Sequence, residues 1–277
     1  MSTSAAALAH VRDLVYKRAG IVLAADKNYL IEARLLTLAR ELGLQSVENV
    51  VDEARAEAGD RFNGRIVEAL TTNETTFFRD VHPFDALRDQ VLPELLAARP
   101  VTQPLRIWSA ACSTGQEAYS IAMTVLEHFP SAESRTRILG TDVAPSMVAR
   151  ATQGHYRQLE VNRGLPAPML VKYFTREGAD WAINARLRAM VEFKQLNLVS
   201  PANPFPPADL VFLRNVLIYF DEPTRRGVLK RVRASMAPDG YLFLGCAETT
   251  ASLDDAFDRV RIGSAVCHRP RSNARGT

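Results

Sequence analysis

Ile107-Trp108-Ser109-Ala110-Ala111-Cys112-Ser113-Thr114-Gly115-Gln116-Glu117, followed further on by Gly140-Thr141-Asp142, is the stretch that decides the fold. An apolar strand, Leu105 to Trp108, runs into a loop of small residues, and an amphipathic helix begins near Gln116. A second apolar stretch, Arg137 to Gly140, then delivers an acid, Asp142. Small residues after a first strand let the backbone approach a bound nucleoside closely. An acid at the end of the second strand can accept both ribose hydroxyls through charge-assisted hydrogen bonds. The pattern predicts a crevice at the carboxyl ends of parallel strands.

On either side of this stretch, strand and helix alternate. Helical spans are expected at Gln116–His128, Pro145–Gln153 and Pro223–Met236. Strands are expected at Met190–Lys194, Asp209–Leu213 and Tyr241–Leu244, and Phe257 to His268 reads as a closing strand pair. Pro238-Asp239-Gly240 reads as a tight turn into the Tyr241 strand. Such alternation predicts an open, doubly wound sheet. Residues 155–192 interrupt it and suggest a small antiparallel β-subdomain.

The first seventy residues read as all-helical. Leu8, Val11 and Val15 share one face, and Ile31, Leu35, Leu38 and Leu42 repeat at helical spacing, with Gly20 and Gly43 as stops. Further helices fit Val47 to Ala58 and Arg61 to Leu70. Residues 1–40 carry six basic side chains against three acids, whereas residues 41–70 carry three against seven. Leu36 and Arg40 fall off the apolar stripe and are free to meet a partner, although charged faces on small helical domains are commonly just solvated. Thr71 to Arg79, polar and then aromatic, reads as a connector, with a helix from Pro83 to Ala98 after it. The expected domains are therefore a helical domain at 1–70, a linker and connecting helix at 71–104, and an α/β domain at 105–277.

Composition narrows the function classes. With a formal net charge of +3 the chain is not basic in the sense that nucleic-acid binding requires. Three widely spaced cysteines, Cys112, Cys246 and Cys267, form no metal-ligand spacing and suit a reducing cytoplasm, so no metal is expected. No apolar run approaches membrane-spanning length, and no secretory leader pattern is present. Because Gly115 is the only glycine in the loop after the first strand, a diphosphate cradle is not expected. S-adenosylmethionine, which has no phosphates, needs none.

Candidate site residues follow from the strand ends. Asn215 falls where the Asp209–Leu213 strand can face a cofactor, and Tyr219 is placed to reach a sulfonium or a substrate, against the alternative of a core tyrosine. Asn197 could reach adenine or simply bond a turn. Arg79, after two phenylalanines, has as its ordinary alternative an ion pair with Asp80 or Asp85. Asn203-Pro204-Phe205-Pro206-Pro207 resembles the Asn-Pro-Pro-aromatic motif of amino-group methyltransferases, but it precedes its strand rather than following it and reads as a proline-rich loop.

Thr72-Asn73-Glu74-Thr75-Thr76-Phe77-Phe78-Arg79, Trp108 to Glu117, and Arg214-Asn215-Val216-Leu217-Ile218-Tyr219-Phe220-Asp221 together resemble the signature segments of CheR-type chemoreceptor glutamate O-methyltransferases. Gly154-His155-Tyr156-Arg157 and Tyr241 to Gly245 resemble that family as well, so the likeness extends from about Tyr16 to about His268. It implies an N-terminal helical domain, an S-adenosylmethionine-binding α/β domain and a small inserted β-subdomain. It further implies that Asn73, Thr75, Arg79, Glu117, Asp142, Asn197, Leu198, Asn215 and Val216 line the cofactor site, with Arg79 and Tyr219 nearest the chemistry. Four positions depart from the family: Ala118 in place of proline, Gln116 in place of a second glutamate, and Cys246 and Ala247 in Cys246-Ala247-Glu248 in place of His-Ser-Glu. The last change removes an imidazole.

The implied reaction gives a glutamate methyl ester and S-adenosylhomocysteine. Other readings are a methyltransferase acting on a small carboxylate or amine, and a non-catalytic sensor of S-adenosylmethionine. The implied partners are cytoplasmic domains of membrane chemoreceptors, met through the N-terminal helices with Arg34, Leu36 and Arg40. Some members of the family grip a tethering pentapeptide with the β-subdomain. Here the stretch between Phe174 and Val191 is compact, sixteen residues with one glycine, Gly178, so such binding is not expected.

Overall fold

A computed structural model describes residues 3–56 and 59–271 of the chain. Helix α1 (Ala5–Ala19) starts at Ser4, whose side chain caps the N–H of Ala7, and ends at Gly20. Helices α2 (Asn28–Glu41), α3 (Val47–Arg55) and α4 (Gly59–Leu70) complete an all-helical N-terminal domain. The third helix stops at Arg55, because Ala56 is extended; its expected end at Ala58 lies outside the described residues, as do residues 272–277. Ile31, Leu35 and Leu38 are buried as their spacing predicts.

The expected Pro83–Ala98 helix is α5 (His82–Ala86) and α6 (Leu92–Ala98), joined by one π turn at Leu87–Val91. Pro93 has no N–H to return to the preceding turn, and the wider Leu92 N–H to Leu87 C=O bond accommodates it.

The sheet is built from β1 (Leu105–Ala110), β2 (Thr136–Asp142), β6 (Val191–Gln195), β7 (Ala208–Leu213), β8 (Met236–Leu244), β9 (Phe257–Ile262) and β10 (Ala265–Pro270). Its order is β6-β2-β1-β7-β8-β10-β9, with the first five strands parallel and β10 antiparallel to both of its neighbours, β8 and β9. Between them run α7 (Gln116–His128), α8 (Pro145–Gln153) and α12 (Glu222–Ser235). The insert holds β3 (His155–Arg157), β4 (Phe174–Glu177) and β5 (Asp180–Ile183) as a separate antiparallel sheet, with short helices α9 (Gln158–Val161), α10 (Ala167–Tyr173) and α11 (Ala185–Arg188) around it.

The period-2 geometry of a strand sends alternate side chains to opposite faces, and here both faces are covered. Trp108, Val211, Leu213, Leu242 and Leu244 pack with α12 and with Leu8, Val11, Ile31 and Leu35 of the helical domain. Ile107, Leu210, Phe212, Tyr241 and Phe243 pack instead with α7 and the connecting helix. The helical domain therefore shares one continuous apolar core with the sheet.

Pro238-Asp239-Gly240 is not a turn between elements. It lies within β8, in a bulge where pairing with β7 jumps from Ala208↔Met236 to Leu210↔Tyr241. Asp239 is held there by Arg99, which also pairs with the buried Asp209 at 2.8 Å, so an ion-paired cluster fixes what a free turn would leave open.

Candidate active site

A cleft of about 890 Å³, counted out to its open mouth, lies at the carboxyl ends of β1, β2, β6 and β7. The loop after β1 shapes its floor through left-handed backbone at Ala111, Ser113 and Gly115. At Gly115 φ is +92°, and a Cβ would lie 2.9 Å from the Ala151 Cβ, so glycine is required there. The curl turns the N–H of Ser113 onto Asp142 Oδ2 at 2.8 Å, while Ala144 N–H donates to Oδ1 at 3.0 Å. Burial pushes the Asp142 carboxyl up, and these backbone N–H groups oppose it by favouring the charged form. The Ser113 hydroxyl donates to the carbonyl of Asn73, which draws the connector over the loop.

Glu117, in the first turn of α7, accepts from the Ser109 hydroxyl at 2.7 Å and from Arg214 Nη1 at 3.1 Å. Its burial raises the carboxyl pKa, opposed by Arg214, Ser109 and the more distant Arg79. Cys112, also buried in the wall, has its thiol held protonated by desolvation and by Asp142 and Glu117.

Asn215 follows β7 with φ of +59°. The carboxylate of Glu248 holds this turn: it accepts from the N–H groups of Asn215 and Gly245 at 2.7 Å each, of Val216 at 2.9 Å and of Ile218 at 3.3 Å. Asn215 Oδ1 is buried without a hydrogen-bond partner and stands available as an acceptor.

Every candidate residue lines this cleft: Asn73, Thr75 and Arg79 from the connector, Glu117, Asp142, Asn197 and Leu198, then Asn215, Val216 and Tyr219. Asn197 also bonds a turn. Its Oδ1 accepts from Val199 N–H at 3.1 Å, and its Nδ2 donates to the Arg18 carbonyl at 2.6 Å. Tyr219 is half-buried at the cleft rather than a core tyrosine. The ion pair expected as the ordinary role of Arg79 does not form, because Asp80 pairs with Arg214 and Asp85 with Arg88. Arg79 instead donates to the carbonyl of Glu74 at 2.9 Å. Arg34 is half-buried, and its Nη1 donates to the carbonyls of Leu70 and Thr71, tying α2 to the connector. Leu36 and Arg40 are exposed.

Sequence reasoning missed Arg214, Glu248, Ala19 and Ile21. The first two fix the cleft, and the last two line it from the helical domain. Arg214 stands inside a segment that carries the family resemblance, Glu248 just beyond one, and Gly20 marked the turn that brings Ala19 and Ile21 inward.

Comparison with known proteins accords with this geometry. The CheR methyltransferase S-adenosylmethionine-binding domain matches residues 73–266, and the CheR all-alpha domain matches residues 6–63. The chain belongs to the CheR methyltransferase family. A chemotaxis protein methyltransferase of Pseudomonas aeruginosa is 38% identical over 276 residues, covering 98% of this chain and 100% of the relative. One from Pseudomonas putida is 35% identical over the same length, again covering 98% of this chain and 100% of the relative. That of Escherichia coli is 35% identical over 265 residues, covering 93% of this chain and 89% of its own. This CheR protein is accordingly an S-adenosylmethionine-dependent methyltransferase of chemotaxis.

The residues suit that cofactor. The loop has small residues and a single glycine where a diphosphate would need a glycine-rich cradle, Glu117 can take an ammonium, and Asn215 Oδ1 is an acceptor in want of a donor. Among the described residues no helix is long and apolar enough to cross a membrane.

Proposed function

We propose that the protein methylates glutamate side chains of chemoreceptors, forming γ-methyl esters. The observation that carries this reading is Arg79. Among the described residues lining the cleft it is a guanidinium without a carboxylate partner, whereas Arg214 is paired twice. A substrate carboxylate fits that vacant charge. When bound, S-adenosylmethionine would supply an electrophilic methyl group for the carboxylate oxygen, with S-adenosylhomocysteine as the leaving group. Charge disappears on the way, so a dry cleft favours the step.

A carboxylate is already ionised and needs no general base. Asp142 is held by the N–H groups of Ser113 and Ala144, Glu117 by Ser109 and Arg214, Glu74 pairs with Arg163, and the Cys112 thiol stays protonated, which suits a substrate that brings its own nucleophile. The chain's contribution is alignment: Arg79 orients the carboxylate, and Tyr219 stands at the cleft to meet a sulfonium or methyl group. Asp142 would hold the ribose hydroxyls and Glu117 the ammonium, with Asn73, Thr75, Asn197, Leu198, Asn215 and Val216 completing the cofactor walls.

We place the docking of receptor helices on the outward face of α2, where Leu36 and Arg40 stand exposed. The β4–β5 hairpin is short, turning at Gly178, and supports docking without a tethering pentapeptide. The free thiols suit action in the cytoplasm. Transfer of a tritiated methyl group from labelled cofactor into receptor-enriched membranes, released on treatment with base, is the expected result. Label in small molecules alone would overturn the reading in favour of a small-substrate enzyme. Cofactor binding without any transfer would point to a sensor.

A further inference from the structure

We propose that Arg214 is a positioning residue that sets both halves of the transfer site from one buried guanidinium, Glu117 on the cofactor side and the backbone of Arg79 on the substrate side. The inference rests on the proposed function, for Glu117 as a cofactor contact and for the substrate half alike.

The Arg214 side chain is 1% exposed. Its Nη1 meets Glu117 Oε2 at 3.1 Å, and its Nη2 donates to Asp80 Oδ2 at 2.6 Å and to the carbonyl of Arg79 at 2.9 Å. The planar fork of arginine can serve two directions at once, which the point charge of lysine cannot. The segment it grips is under backbone strain. Phe78, Asp80 and Val81 have φ of +48°, +67° and +47°, a region that a β-branched valine in particular avoids. The Nη2 contacts, with the Phe78 N–H bond to the Ser120 hydroxyl, hold that bend and so aim Arg79 into the cleft. On the other side, Glu117 has Arg214, Ser109, Arg79 and the Cys112 thiol around it, and Arg214 is the guanidinium in contact with it.

Two substitutions separate this role from that of a mere counterion. Arg214→Lys restores one charge beside Glu117 but cannot also hold the Arg79 carbonyl. S-adenosylhomocysteine Kd measured by calorimetry should then stay within about threefold of wild type, while kcat for receptor methylation falls about 10- to 100-fold, the scale of misalignment. Arg214→Gln leaves Glu117 to protonate more readily. Its cofactor affinity should fall about tenfold or more, and fall more steeply than wild type as the pH is lowered. Wild-type kcat in the lysine variant, or unchanged affinity and pH profile in the glutamine variant, overturns the proposal.

Asp80→Asn tests the substrate half should the buried variants fail to fold, since the Asp80 side chain is 33% exposed. It should lower kcat about fivefold or more and leave cofactor Kd unchanged. An unchanged kcat overturns the proposal. Failure of wild-type protein to label receptors would sink the proposed function, while the calorimetric outcomes would still decide the cofactor half.

Discussion

The backbone N–H of Val22 donates to the carbonyl of Tyr219 at 2.8 Å, joining the turn after α1 to the segment that carries the cleft tyrosine. Beside it Ile21 pairs with Phe220 as an isolated antiparallel bridge, and the Tyr16 hydroxyl donates to Asp221 Oδ2 at 2.8 Å. The helical domain is thus a wall of the cleft, which Ala19 and Ile21 line.

Gly20 makes this junction possible, and replacing it tests the junction. Its φ is +70°, and a Cβ would lie 2.6 Å from Val199 Cγ1 and 3.1 Å from Thr224 Cγ2. Gly20→Ala combines left-handed strain with overpacking and should cost about 1–3 kcal/mol. Because Val199 adjoins Asn197 and Leu198, cofactor affinity should fall as well. Gly43→Ala is the control: φ is +71°, yet nothing lies within 4 Å of its Cβ, so only the backbone cost applies. Equal losses in both variants by urea unfolding, with cofactor affinity intact, would show that the contact with Val199 is unimportant.

Glu248→Gln tests the carboxylate that gathers four backbone N–H groups at the end of β7. The amide keeps one acceptor oxygen and turns an NH₂ group toward donors, leaving two or more of them unpaired. Stability should fall by about 1–3 kcal/mol, and kcat should fall by about tenfold or more because Tyr219 loses its setting. A variant as stable and active as wild type would remove Glu248 from the site's architecture.

The strands were legible because β1 and β7 are buried on both faces and read as short apolar runs ending at small or polar residues. Pro238-Asp239-Gly240 misled because its local chemistry is that of a turn, whereas Arg99, far away in the chain, holds it as a bulge. The cleft residues near strand ends were legible from position. Arg214 and Glu248 were not, because their roles arise from contacts 135 and 33 residues away that no local pattern encodes. The bonds of Arg34 to the connector were not legible for the same reason, its partners being carbonyls 36 and 37 residues on.

His268 gives a pH signature. It is 3% exposed, its Nδ1 lies 3.0 Å from the Thr250 hydroxyl, and burial, with Arg259 adding to it, depresses its pKa from 6.5 to about 4. Between those values the unfolded chain takes up a proton that the folded chain refuses. Stability is therefore full above the unfolded value, falls as pH drops through the window and levels off below about 4, with a change of up to about 3 kcal/mol from this group. His268→Gln should flatten that part of the urea-stability profile. An undiminished slope between the two values would mean that other groups account for it.

Arg40 tests the docking face. It is exposed on α2, away from the stripe of Ile31, Leu35 and Leu38 that faces the core, and so can meet an acidic receptor helix without disturbing the fold. Arg40→Glu should raise the apparent KM for receptor about threefold or more at low salt and leave cofactor Kd and melting temperature as they are. Near 1 M salt the difference should shrink, since the Debye length there is only about 3 Å. A free tethering pentapeptide should show no micromolar binding in a calorimetric titration, because the compact β4–β5 hairpin offers it no long closing loop. An unchanged KM in Arg40→Glu would move docking to another face, and micromolar binding of the peptide would show that the β-subdomain takes part in it.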